Sequence, residues 1–139
     1  MAARPRRAVR TGVTYVDSSA FMKLVVAEPE SAALRRYLAG GHHVASALLR
    51  TEVLRASMRV SQAHLADARQ LLREIDLIDV HRQLLERAGE LQPPEIRSLD
   101  AIHLATALDV GGDLRELVTY DGRMAEAAHQ WGLAVVAPA

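Results

Sequence analysis

Val13-Thr14-Tyr15-Val16-Asp17-Ser18-Ser19-Ala20-Phe21 is the stretch on which the fold turns. Its first four residues are β-branched or aromatic, the composition of a short buried strand, and they end on a carboxylate. Helix follows at once. Either serine can cap a segment through Ala20, Phe21, Leu24 and Val25, which leaves Asp17 to face the end of the sheet.

The same alternation recurs along the chain. Pro29 interrupts the first helix, a second runs over 30–39 to the Gly40-Gly41 stop, and His43 to Ser46 reads as a strand. Leu48 to Val60 and His64 to Ile75 form a helical pair, each with one apolar face. Leu77 to Val80 is a short strand, and Arg82 to Leu91 is helix ended by Pro93-Pro94. Ser98 caps a helix to Val110, Glu116 to Thr119 is a strand, Asp121 opens a helix ending near Trp131, and Leu133 to Val136 is the last strand. Parallel neighbours need helical crossovers, so this order predicts one α/β domain over 13–137, a mostly parallel central sheet sandwiched by helices. A basic, flexible arm is expected over 1–12, where Arg4, Arg6, Arg7 and Arg10 precede the first acid.

Composition narrows the function classes. The chain has 139 residues, enough for one domain, with a 50 % hydrophobic and 4 % aromatic content that implies aliphatic packing. Lys plus Arg equals Asp plus Glu at 17 each, so no global positive field holds a polyanion and nucleic-acid contacts must be local. Disulfides and thiolate zinc sites are excluded because there is no cysteine. Asp17 and Lys23 break the early apolar stretch, no span of membrane length appears, and a cytoplasmic location without membrane contact is expected.

Four carboxylates stand beside apolar runs. Asp17 closes the first strand, Asp121 follows Leu117-Val118-Thr119-Tyr120, Asp100 sits in the first turn of an apolar helix, and Glu52 lies on the third helix. Each has an ordinary explanation alone: Asp17 and Asp121 as caps, Asp100 as a favourable dipole charge, Glu52 as a surface partner of Arg55. Together they say more. Sites in open parallel sheets form beyond the carboxyl ends of strands, where Asp17 and Asp121 both fall. Two like charges about 4 Å apart repel by roughly 4 kcal/mol at an effective dielectric near 20. Gathered carboxylates therefore call for a hard divalent cation, Mg²⁺ or Mn²⁺. The histidines lack zinc-ligand spacing; His103, three residues after Asp100, can reach the site as a core or supporting group.

These residues resemble the PIN domain, and within it the VapC-like toxins of bacterial type II toxin-antitoxin pairs. The resemblance is carried by Val16-Asp17-Ser18-Ser19-Ala20, Thr51-Glu52-Val53, Arg97-Ser98-Leu99-Asp100-Ala101-Ile102-His103-Leu104-Ala105-Thr106-Ala107 and Thr119-Tyr120-Asp121. It implies a metal-dependent ribonuclease with Asp17, Glu52, Asp100 and Asp121 as its acidic cluster, and Ser18 and Thr119 as supporting polar groups. Asp17 and Asp100 would be the principal ligands, directly or through water, with Glu52 and Asp121 completing the charge through water. Also implied are a homodimer and a VapB-like antitoxin. Lys23, Arg50, Arg55, Arg97 and Arg123 flank the acids as weak candidates for RNA phosphates.

Two rivals remain. A phosphatase-type α/β enzyme using Asp17 as nucleophile would want a second Asp two residues on, where Ser19 stands. A noncatalytic binding module would be indifferent to Asp100→Asn.

Overall fold

The structure is a computed structural model, and it describes residues 12–139; the expected basic arm, apart from Gly12, lies outside the described residues. Five strands form one sheet in the order β3-β2-β1-β4-β5, every pairing parallel. They are β1 (Val13–Val16), β2 (His43–Ser46), β3 (Asp76–Ile78), β4 (Leu114–Val118) and β5 (Val135–Val136). Among the described residues the helices are α1 (Ser18–Val25), α2 (Ser31–Leu38), α3 (Leu48–Met58), α4 (Gln62–Leu72), α5 (Arg82–Gly89), α6 (Ser98–Val110) and α7 (Gly122–Gln130), with a 3₁₀ turn at Gly111–Asp113. None is long and apolar enough to cross a membrane.

Side chains of β1 alternate between the two faces of the sheet, as a strand requires. Tyr15 reaches His103 of α6 on one face, while Thr14 and Val16 face the opposite side, where Glu116, Tyr37 and Phe21 gather. Helices therefore cover both faces. Helix α6 explains its own composition: Leu104 and Ala107 join the main core, and Ala101 and Ala105 pack with Leu84 and Ala88 of α5. A helix buried on two sides has to be apolar all round.

The sheet order matters for function. Chain growth begins at β1, adds β2 and β3 on one side, then returns to place β4 on the other, so a switch in direction falls between β1 and β4. Loops leaving the carboxyl ends of these two strands diverge, and the crevice between them is where open α/β sheets hold ligands. Parallel register sets Val16 beside Val118, which brings Asp17 next to Thr119.

Several boundaries differ from expectation. Asp17, and not a serine, caps α1, its carboxylate accepting from the Ala20 amide at 3.0 Å. Arg97 occupies the cap position of α6, with Ser98 inside the first turn. Ser61 caps α4 by accepting from the His64 amide, so that helix starts earlier than its apolar pattern suggests. Strand β4 likewise starts at Leu114, because Glu116 is buried, accepting the Thr14 and Tyr37 hydroxyls at 3.0 and 2.5 Å. Gly12, with φ +96°, enters β1 where a Cβ would meet the Asp113 carbonyl oxygen at 2.7 Å, so only glycine fits.

Candidate active site

Asp17 is 4 % exposed, buried where β1 passes into α1. Its Oδ1 accepts from the Ala20 amide and from the Ser19 hydroxyl at 2.7 Å, and its Oδ2 accepts the Thr119 hydroxyl. Burial pushes its carboxyl above the ordinary range, and those three donors with the His103 ring pull the other way. An anion here is prepared for but not fully compensated.

Thr119 and Ser19 tie β4 to this carboxylate. The Thr119 oxygen also accepts the Asp121 amide at 3.1 Å, and the Ser19 oxygen accepts the Tyr120 amide at 2.9 Å. The loop after β4 is thereby clamped against the start of α1. Asp121 caps α7, its Oδ1 accepting from the amides of Arg123 at 2.9 Å and Met124 at 3.5 Å.

Asp100, half-buried in the first turn of α6, completes the convergence. Desolvation is the main cause that raises its carboxyl, followed by the charge of Asp121; Asp17 and Glu52 raise it further, and His103 opposes them. Three acids from three other segments thus act on one carboxyl. Glu52 on α3 reaches the group through His103, whose Nε2 stands 2.5 Å from Glu52 Oε1. The alternative of a surface pair with Arg55 is not what the side chain makes.

The donor chemistry suits a hard cation, since every acid offers oxygen and their charges raise one another's cost. Among the described residues, no three acids or histidines already form a closed ligand set.

The sequence profile of the PIN domain matches residues 14–130. The chain belongs to the PIN domain family. It is 52 % identical over 125 residues to Ribonuclease VapC46 of Mycobacterium tuberculosis, covering 89 % of this chain and 96 % of that one. Identity to Ribonuclease VapC35 of the same species is 40 % over 129 residues, with the same coverage of 89 % and 96 %. Among solved structures, the fold matches M. tuberculosis VapC20, a sarcin-ricin loop cleaving toxin, with a TM-score of 0.73 at 19 % identity, covering 90 % of this chain and 99 % of that one. It also matches VapBC2 from Rickettsia felis bound to a DNA fragment from its promoter, with a TM-score of 0.69 at 13 % identity, over 91 % and 99 % of the two chains.

Within this PIN domain the flanking polar groups fall out unevenly. Ser19, rather than Ser18, holds the Asp17 carboxylate; Ser18 makes no side-chain hydrogen bond among the described residues. As the cap of α1, Asp17 turns its Oδ1 to the amide of the third helical residue, Ala20, and the Ser19 hydroxyl donates to the same oxygen. Lys23 is engaged elsewhere, 2.6 Å from Glu28 and 3.2 Å from Glu30, with its ammonium 4.8 Å from the Tyr120 ring centroid. Arg97 and Arg123 line a groove of about 410 Å³ together with Asp100, beside Glu95 and Glu126. Arg50 and Arg55 are exposed on α3, with no ion pair among the described residues.

Two contributors escaped the sequence pattern. Ser19 was visible only as a possible cap, and Tyr15 looked like an ordinary core aromatic. The period-2 alternation of β1 does place Tyr15 on the opposite face from Val16, but which helix lies there is not written locally.

Proposed function

We infer that this chain is a divalent-metal-dependent endoribonuclease and the toxin of a toxin-antitoxin pair, acting on RNA and held in check by a VapB-like antitoxin. The observation that carries the reading is the crowding of Asp17, Glu52 and Asp121 charges on the Asp100 carboxyl at the switch point of the sheet. The relatives support it, two of them named ribonucleases of the VapC group. So does the likeness to a structure solved as a VapBC complex. A homodimer and a cytoplasmic location belong to the same reading.

Asp17 and Asp100 are the principal ligands, with Glu52 and Asp121 acting through water, and the ion is Mg²⁺ or Mn²⁺. When bound, such a cation supplies acidity for an attacking water and positive charge for the phosphate oxygens. The chain does the rest. Ser19, Thr119 and the Ala20 amide hold Asp17 in one orientation, which is the pre-organisation that makes a charged site effective. Arg97 and Arg123, in the groove beside Asp100, take the phosphates flanking the scissile bond. With both its oxygens accepting from three donors, Asp17 is restrained for ligation and poorly placed to swing as a nucleophile, which disfavours the phosphatase-type alternative.

The test is incubation of the purified chain with mixed cellular RNA in Mg²⁺ or Mn²⁺, in chelator, and as Asp100→Asn. Cleavage is expected only with the cation and the native Asp100. Fragments produced equally in all arms would reject the reading.

A further inference from the structure

A hydrogen-bonded chain runs from the sheet backbone to Glu52. The Ser46 amide donates to the Tyr15 hydroxyl oxygen at 2.9 Å, that hydroxyl lies 2.6 Å from His103 Nδ1, and His103 Nε2 lies 2.5 Å from Glu52 Oε1. Tyr15 is 0 % and His103 1 % exposed, so water does not compete for these contacts. We propose that Tyr15 and His103 form a positioning relay that fixes the imidazole tautomer and presents Glu52 to the acidic site.

Donors and acceptors pair off in one order along this chain. Ser46 can only donate, through a backbone N–H, so the Tyr15 oxygen accepts there. Burial raises the Tyr15 hydroxyl far above its ordinary range, which keeps its proton on the oxygen. The Thr106 hydroxyl also lies beside it but gives its own proton to the Ile102 carbonyl, and His103 Nδ1, at 2.6 Å, is the short contact to which the Tyr15 proton is assigned. An Nδ1 that accepts leaves the ring hydrogen on Nε2, where the Glu52 carboxylate receives it. Every group in the chain is then satisfied, and the imidazole can neither rotate nor change tautomer without leaving a buried polar atom unpaired.

The consequence for Glu52 is asymmetric. Its Oε1 is held by the imidazole, while Oε2 has no hydrogen-bond partner among the described residues and the side chain is 20 % exposed. A long glutamate on a helix has several rotamers; the relay selects one and leaves one oxygen available. Tying one oxygen of a ligating carboxylate, so that the other meets a cation or its water in a set direction, is a recognised use of neighbouring hydrogen bonds. His103 touches no substrate in this scheme and acts through Glu52. The inference rests on the nuclease reading only for what Glu52 does next.

The experiment uses the full-length chain and three readouts. Imidazole ¹⁵N NMR of the metal-free wild type is expected to show His103 as the Nε2–H tautomer, and an Nδ1–H tautomer would overturn the relay. Mn²⁺ affinity, measured by calorimetry at matched folded fraction, is expected to fall about 10–100-fold in His103→Ala, the range for loss of such a supporting group. Should His103→Ala fail to fold, Tyr15→Phe and His103→Gln serve instead: the first leaves the ring's tautomer unfixed and lowers affinity, while the second restores an N–H donor and recovers it. Unchanged Mn²⁺ affinity in folded His103→Ala or Tyr15→Phe, or no recovery with Gln, would also overturn the proposal. In RNA cleavage, His103→Ala and Tyr15→Phe are expected to lower kcat with KM unchanged, and His103→Gln to restore it. Tautomer and Mn²⁺ affinity need no turnover, so an inactive wild type would sink the nuclease reading alone.

Discussion

Thr119, one residue past β4, donates its hydroxyl to Asp17, one residue past β1, so the central strand pair of the sheet is closed by a side-chain bond at its carboxyl end. The same oxygen receives the Asp121 amide. One hydroxyl therefore orients a buried acid and anchors the loop that carries another. Thr119→Val keeps the shape and removes both functions. It is expected to cost about 1–3 kcal/mol, the penalty of a buried polar group left unpaired, and to reduce cleavage about 10–100-fold. Thr119→Ser should recover most of both. Urea titration and initial rates check it, and equal behaviour of the Val and Ser variants would contradict the role.

Asp100 trades stability for charge. Its folded carboxyl is raised, so its favourable contribution is complete below the ordinary carboxylate range, about pH 4, and is lost as pH rises through the raised value. Asp100→Asn removes the titration. In chelator the variant should match the wild type near pH 4 and exceed it at pH 7.5, as is common when a strained functional group is neutralised. Cleavage should fall by at least about 100-fold. Thermal melts across pH decide this; a variant less stable than wild type at pH 7.5 would show that the acid is not under repulsion.

Cation binding should reverse that order. A ligand that binds only the folded state stabilises it by about 2.7 kcal/mol when present at one hundred times its dissociation constant. Wild-type melts are expected to rise with Mn²⁺ or Mg²⁺ and those of Asp100→Asn to rise much less. Calorimetric titration of both proteins provides an independent check, and identical shifts would place the ion elsewhere.

Arg97 and Arg123 share the groove with Asp100. Substitution of either by Ala should raise KM for RNA several-fold, leave kcat near the native value, and reduce the slope of log affinity against log salt by about 1. Lys23→Ala should have a smaller effect on RNA, since its ammonium is already paired with Glu28 and Glu30. Filter binding over a salt series distinguishes the three.

Much of this molecule was legible from local pattern. The runs Val13–Val16 and His43–Ser46 matched their strands because a short β-branched stretch between helices has few other uses. The all-round apolarity of the segment after Ser98 pointed to a buried helix, and the structure supplies the reason, since sheet and α5 cover α6 on two sides. The resemblance to PIN domains, carried by motifs around Asp17, Glu52, Asp100 and Asp121, named the family that the comparisons then supported. Edges were less legible. Where β4 begins depends on Thr14 and Tyr37 being present to receive Glu116, and these lie 102 and 79 residues away.

Residue order and chemical type alone dictated alternating short strands and helices, hence a parallel sheet, and set an acid beyond the ends of β1 and β4. Those are short-range consequences of branching, apolar period and capping. Which hydroxyl holds Asp17, that Glu52 pairs with His103 and not Arg55, and that Tyr15 orders that imidazole all depended on the packed molecule. Each such contact joins segments whose separation along the chain carries no local signal, and only the sheet register and the seat of α6 against Tyr15 bring their atoms within bonding distance.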